Sequence, residues 1–336
     1  MTFLDPAQNA LVARNYQGPA RIAGPAGTGK TVLALHRMAY QARRSTGPLL
    51  YTTLAKNLPP YQRAAFTQMA PPVAARAEFT NLHAWARDLL ARRGVPFEMD
   101  LDRADTAFAR AWSRVRAHGP LAGISSDIRY WREEIDRVIK GRGLGVDDYR
   151  QYRRLLRRGR KVALRDGARE QVWELYRQHE AIRADMRCHD ANDLITAALD
   201  QVRRRPFDRP YAIVVVDEVQ DMTVQSLRLV HALTGDAPNA LLLVGDGRQR
   251  IYAGGRDGPP RQGIGLPRGP ASVHRTGRRT HRRGSRALRI DHAAAVLRRH
   301  PGARRGVAGG CLRGRTGPRP AGCRWSAVGS GAWGVQ

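Results

Sequence analysis

The stretch "ARIAGPAGTGKTVLALHRMA", residues 20–39, decides the fold. "ARIA" reads as a short buried strand, and a helical pattern begins at Thr31 with Val32, Leu35, Met38 and Ala39 on one face. Between them "GPAGTGKT", Gly24 to Thr31, fits G-x-x-x-x-G-K-[ST] in the strand–turn–helix setting that this motif requires. The turn from Gly24 through Pro25, Ala26, Gly27 and Thr28 to Gly29 wraps backbone N–H groups around phosphate oxygens, and the helix N-terminus adds its partial positive charge. Lys30 is placed to reach the β- and γ-phosphates of a nucleotide, and Thr31 to offer a hydroxyl to Mg²⁺. The bland alternative is a glycine-rich turn with a chance lysine; the flanking strand and helix weigh against it.

Working outward, the next requirement is a carboxylate at the end of a neighbouring strand. "VVVDEVQD", residues 214–221, supplies Asp217 directly after an apolar run. An acid there holds a divalent ion, directly or through water, and adjacent Glu218 can orient or deprotonate an attacking water. The competing reading makes both acids caps of the next helix. A second apolar run, "LLLVGDGRQRIY" at 241–252, again ends in acid and amide residues.

These runs bracket a change of style. Residues 1–80 alternate strand and helix, and "PLLYTT" is a further strand. From about 82 to 200 the chain reads as helical: Phe108, Trp112 and Val115 recur at helical spacing, as do Ile128, Trp131, Ile135 and Val138, and then Val172, Leu175 and His179. Trp112 and Trp131 read as core rather than as stacking platforms. Arginine-rich faces, such as "YRQYRRLLRRGRK" at 149–161, lie between the apolar stripes. "YAIVVVDE" and "NALLLVGD" then resume the buried-strand style of a parallel sheet.

Composition sets the partners. The formal charge is +29, which points to a polyanion such as nucleic acid. Residues 254–336 hold 18 Arg, no Lys and only two acids, Asp257 and Asp291. This tail lacks Lys, Glu, Phe, Tyr, Met and Asn altogether, so it reads as disordered, with "RALRIDHAAAVLRRH" able to form a helix at most. No apolar run is long enough to span a membrane, and the N-terminus carries no secretory pattern. Cys188, Cys311 and Cys323 are widely spaced, as suits a reducing cytoplasm, and the "CHD" at 188–190 has no second pair at zinc spacing.

Together, "DEVQD" and "GDGRQRIY" resemble the Walker B and third motifs of the UvrD/Rep/PcrA branch of superfamily 1 DNA helicases, over roughly residues 1–253. The resemblance implies a P-loop NTPase of the α/β class: a RecA-like parallel-sheet lobe from 1–84 and 201–253, with an all-helical DNA-contact domain inserted at 85–200. It implies ATP and Mg²⁺ as cofactors, and DNA, single-stranded or with a single-stranded overhang, as partner. "LDPAQ" resembles the family's N-terminal glutamine motif, which places Gln8 at the adenine edge, where an amide both donates and accepts. By the same likeness Gln220 couples the nucleotide site to the DNA track, Gln249 senses the γ-phosphate, and Tyr252 stacks on a base. "LLYTTLAKNL" places Thr53, Lys56 and Asn57 by the DNA backbone, and "FTNLHAW" adds His83, with Asn81 where the family has threonine. Two further departures are Val32 in place of an arginine and Gly254 in place of an aromatic residue.

The family's second lobe supplies an arginine to the transition state, and residues 254–336 show no strand-flanked motif of that kind. The expectation is a chain truncated or frameshifted after about residue 255, impaired in unwinding; the competing reading is a true disordered basic tail that binds nucleic acid. The family's typical 3′-to-5′ movement is implied by the resemblance alone. A nucleic-acid-binding remnant without catalysis is the alternative from another class; a P-loop kinase fits the two motifs poorly.

Overall fold

The structure, a computed structural model, describes residues 4–157, 160, 162–246 and, for the backbone, 289–292. The chain starts with helix α1 (Pro6–Ala13), then strand β1 (Ala20–Ala23) and helix α2 (Lys30–Ala42). β2 (Leu49–Thr53), α3 (Pro59–Met69), the short α4 (Pro71–Ala74) and β3 (Ala77–Asn81) follow. Glycine is required in the phosphate turn, where Gly27 and Gly29 have φ of 76° and 73°.

The helical stretch comprises α5 (Leu82–Arg92), α6 (Leu101–Val115), α7 (Leu121–Ile124), α8 (Ile128–Glu133), α9 (Tyr149–Arg154), α10 (Asp166–Asp185) and α11 (Ala191–Arg204). A π-helical turn, Glu134–Ile139, continues α8. The chain then returns to β4 (Ile213–Val216), α12 (Val224–Ala232) and β5 (Leu241–Gly245).

The sheet order is β3-β2-β4-β5-β1-β6, where β6 is Arg289–His292. The first five strands are parallel, and β6 runs antiparallel to β1. Parallel strands covered on both faces need apolar side chains in both directions, which is why "IVVV" and "LLLV" lack polar alternation. Leu50, Val214, Val216, Leu241 and Leu243 pack on one face with α5, α11 and α12. Ile22, Leu49, Tyr51, Val215, Leu242 and Val244 pack on the other with α2 and α3. Thus the pleat divides one apolar run between two cores.

Three expectations change. The helical block anticipated at 85–200 begins and ends inside α5 and α11, whose apolar faces belong to the sheet core; a separate third core runs from Ala107 to Ile182. The face of α2 is broader than the sequence suggests, with Leu33 and Ala34 buried and Val32 only half-buried, because strands and α1 cover it from two sides. In the stretch read as a disordered tail, with a helix at most, Arg289–His292 instead forms a strand. Its backbone pairs with β1, which would otherwise end the sheet with unpaired N–H and C=O groups. The rest of 254–336 lies outside the described residues, as do Gln249 and Tyr252. Among the described residues no helix is long and apolar enough to cross a membrane.

Trp112 and Trp131 are buried in the third core with ring centroids 6.3 Å apart, so they are packing residues. The arginine-rich stretch at 149–161 is partly internal: Arg157 holds buried Glu134 through two contacts, 2.5 and 2.8 Å, and Arg160 reaches Glu133 at 2.8 Å.

Candidate functional site

Five parallel strands direct their C-terminal ends to one edge of the sheet, and the loops leaving that edge carry the candidate residues. β5 lies between β1 and β4, so the glycine turn and the acids are set one strand apart. Across that gap the Thr31 hydroxyl donates to Asp217 Oδ2 at 2.8 Å, joining residues 186 positions apart. Asp217 itself is held by its backbone N–H on the Thr52 carbonyl, 2.9 Å, and is 1% exposed.

The phosphate turn closes on itself. Lys30 Nζ donates to the Pro25 carbonyl at 2.8 Å, and the Thr28 hydroxyl to the same oxygen at 2.9 Å. Lys30 therefore folds back over the position that the motif reserves for phosphate. A Cβ added at Gly27 would meet nothing within 4 Å, so the turn faces open space there. Gln8 caps α1 together with Asp5 and donates from Nε2 to the Thr28 carbonyl at 3.1 Å. The glutamine thus lies against the turn.

Arg37, on α2, is buried and donates to the carbonyls of Val12 and Arg14 at 2.9 and 2.8 Å, and to Asn239 Oδ1 at 2.8 Å. It ties the end of α1 to the helix that leaves the phosphate turn. Nothing in the motif pattern singles it out.

Burial pushes the Asp217 carboxyl up, while hydrogen bonds from Thr31, Tyr51 and the Glu218 N–H pull it down. Tyr51 OH donates to Asp217 Oδ2 at 2.8 Å, and Gln62 Nε2 approaches the same oxygen at 3.4 Å. Burial, then the Asp217 charge, keep the Tyr51 phenol protonated far above its usual range. Sequence reading missed both residues. A hydroxyl inside the apolar run "LLY" was a usable signal for Tyr51; Gln62 offered none.

Glu218 sits in the left-handed region at φ 52°, with its N–H on Asp217 Oδ1 at 2.9 Å. Gln220 Nε2 donates to Glu218 Oε2, and Gln220 Oε1 accepts from the Asp246 N–H at 3.0 Å. Gln220 therefore links the acid loop to the end of β5, whose onward chain carries Gln249 and Tyr252. A Cβ at Gly245 would lie 2.3 Å from Gln220 Oε1, so only glycine leaves room for this link.

The expected DNA-side residues divide. Lys56 and Asn57 are exposed on the loop after β2. His83 is half-buried at the start of α5; burial, and secondarily the Lys56 charge, lower its pKa. Thr53, expected by the DNA backbone, is fully buried, and its hydroxyl accepts from the Ala55 N–H at 3.3 Å, so it shapes the loop from within. Asn81 has a structural task that explains its presence: its side chain caps α5 by accepting from His83 and Ala84, and donates to the Leu54 carbonyl.

The donor set beside the glycine turn, a hydroxyl and a carboxylate, is the hard-oxygen chemistry that suits Mg²⁺. A different cluster, His179, Glu180 and Asp190, also has metal-ligand spacing. There Lys140 Nζ already lies 3.1 Å from Glu180 and 2.5 Å from Asp190, so an ammonium occupies the cation position.

Comparison with known proteins follows the same lines. The AAA domain family matches residues 8–255. The ATP-dependent DNA helicase UvrD2 of Mycobacterium bovis, and UvrD2 from two strains of Mycobacterium tuberculosis, are each 28% identical to this chain over 270 residues. The aligned part covers 74% of this chain and 37% of each relative, so the chain spans little more than a third of the length of the curated relatives it matches.

Proposed function

Because this chain belongs to the AAA domain family, in its UvrD-like superfamily 1 helicase branch, we propose that it forms the ATP-binding part of a DNA helicase or translocase. In this reading the sheet and its flanking helices are the motor lobe, and the third apolar core is an inserted DNA-contact domain. Hydrolysis of Mg·ATP is coupled to movement along single-stranded DNA, 3′ to 5′ by family likeness, in the cytoplasm. The observation that carries the reading is the 2.8 Å contact between Thr31 and Asp217 beside a glycine turn that is open at Gly27.

Each residue then has a task. Arriving phosphates draw the Lys30 ammonium away from the Pro25 carbonyl, and the glycine-turn N–H groups take the phosphate oxygens. Thr31 and Asp217 hold Mg²⁺, which when bound screens charge on the phosphates. Glu218, kept in place by Gln220, orients the attacking water and accepts its proton. Gln8 takes the adenine edge. Lys56, Asn57 and His83 contact the DNA backbone, Gln249 senses the γ-phosphate, and Tyr252 stacks on a base. Strand separation by this chain alone is expected to be weak, since residues 254–336 offer no motif for an arginine from a second lobe.

The test is ATP hydrolysis by the chain with and without single-stranded DNA. We expect hydrolysis stimulated by DNA and lost in Lys30→Ala and Glu218→Gln. DNA binding with no nucleotide affinity overturns this function. DNA and nucleotide binding without turnover favours the non-catalytic remnant, a reading that the +29 charge also supports.

A further inference from the structure

Two side chains outside every motif converge on the acid of the nucleotide site. Tyr51, the middle residue of β2, and Gln62, on α3, both donate to Asp217 Oδ2, at 2.8 and 3.4 Å. They are 0% and 6% exposed. The Thr31 hydroxyl takes the same oxygen at 2.8 Å. A carboxylate oxygen has two lone-pair directions, so the third donor, Gln62, is the loosest of the three.

Gln62 also has an unmet need. Its Oε1 is buried and has no hydrogen-bond partner among the described residues. A buried carbonyl left this way carries a desolvation cost, which favours any arrangement that satisfies it. Tyr51 OH donates to the very oxygen that Gln62 Nε2 approaches, so the two side chains share one acceptor.

The position of these residues in the chain gives the arrangement its meaning. Tyr51 lies just before, and Gln62 just after, the loop with exposed Lys56, Asn57 and Leu58. One stem of that loop is a strand and the other a helix, and both are pinned to one carboxylate oxygen. Whatever alters the demands on Asp217 Oδ2 alters the pull on both stems.

We propose that Tyr51 and Gln62 are positioning residues that couple the Lys56–Leu58 loop to Asp217, so that nucleotide occupancy and single-stranded DNA affinity depend on each other through this pair. The inference rests on the function proposed above. It concerns only the route of communication, carried by the hydrogen bonds that Tyr51 and Gln62 share at Asp217 Oδ2.

The experiment measures coupling, not turnover. Affinity of the full chain for a fluorescent single-stranded oligonucleotide is titrated with and without a non-hydrolysable ATP analogue plus Mg²⁺, and nucleotide affinity with and without DNA. Linkage requires the two ratios to agree, and we expect about fivefold or more in the parent. Tyr51→Phe and Gln62→Leu keep shape while removing the polar atoms; each should leave both single-ligand affinities within about threefold and bring the ratio below about twofold. A parent that binds neither ligand defeats the function itself. A parent that binds both without coupling, or variants that keep the parental ratio, overturn this inference alone. Should either variant fold poorly, hydrogen exchange on the parent decides: the 54–58 amides must change protection when the Mg²⁺–analogue binds without DNA, and unchanged exchange overturns the proposal.

Discussion

At the scale of single residues, His179 shows how burial sets a charge state. Both its ring nitrogens are buried without hydrogen-bond partners among the described residues, and the ring stands edge-on to Phe108 at 5.5 Å. Burial first, then Arg132, Arg183 and Lys140, push its pKa down to about 2. A folded pKa below the unfolded value means stability that is present above the ordinary histidine value of 6.5 and lost progressively as pH falls toward 2. At pH 5 the loss relative to pH 7.5 amounts to roughly 2 kcal/mol. His179→Phe is therefore expected to match or exceed the parent's melting temperature at pH 7.5 and to flatten its acid limb; thermal melts across pH 5–8 check this. Asn81 offers a second case. Asn81→Ala removes a helix cap and costs about 1 kcal/mol in denaturant titration, whereas Asn81→Thr, the family's residue, keeps most of it.

At the scale of elements, Lys140 holds three pieces of chain together. Its ammonium lies within 3.1 Å of Glu180 on α10, within 2.5 Å of Asp190 at the N-cap of α11, and within 2.9 Å of Asp193 in the first turn of that helix. Asp190 in turn caps α11, the helix that the sheet core shares. Lys140→Met leaves these carboxylates with Arg183 as their remaining cation, and the expected cost is about 3 kcal/mol of unfolding free energy. None of this was legible in the sequence, where Lys140 is one more cation in a basic chain. The strand and helix types of the sheet lobe were legible because each depends on local spacing: an apolar run ending in an acid, or a glycine turn before an amphipathic helix. The seam between sheet and helical block was not, because α5 and α11 carry the same apolar stripes whichever core receives them.

For the whole molecule, charge and nucleotide chemistry are separable. With +29 over the chain, DNA affinity should fall steeply with salt, through counterion release from each neutralised phosphate. Lys30 is one cation among 58 and faces the nucleotide turn, so Lys30→Ala should bind single-stranded DNA with the parental salt slope while losing nucleotide. Fluorescence anisotropy at several salt concentrations measures it, and a slope that drops with the variant refutes the separation. The glycine turn, Asp217 and Glu218 were readable from the sequence since their spacing is their chemistry. Gln62 was not, and Tyr51 showed only as a hydroxyl in an apolar run, for their relation to Asp217 exists only once β2, α3 and β4 are packed. Among the described residues only Arg187, Glu218 and Asn239 take positive φ without being glycine. Glycine at position 218 would relieve left-handed crowding of about 1–2 kcal/mol, offset in part by about 0.5–1 kcal/mol of chain entropy. Directed evolution for heat tolerance alone should therefore drift toward glycine at that site, and under the function proposed above its most durable winners would lose ATP hydrolysis.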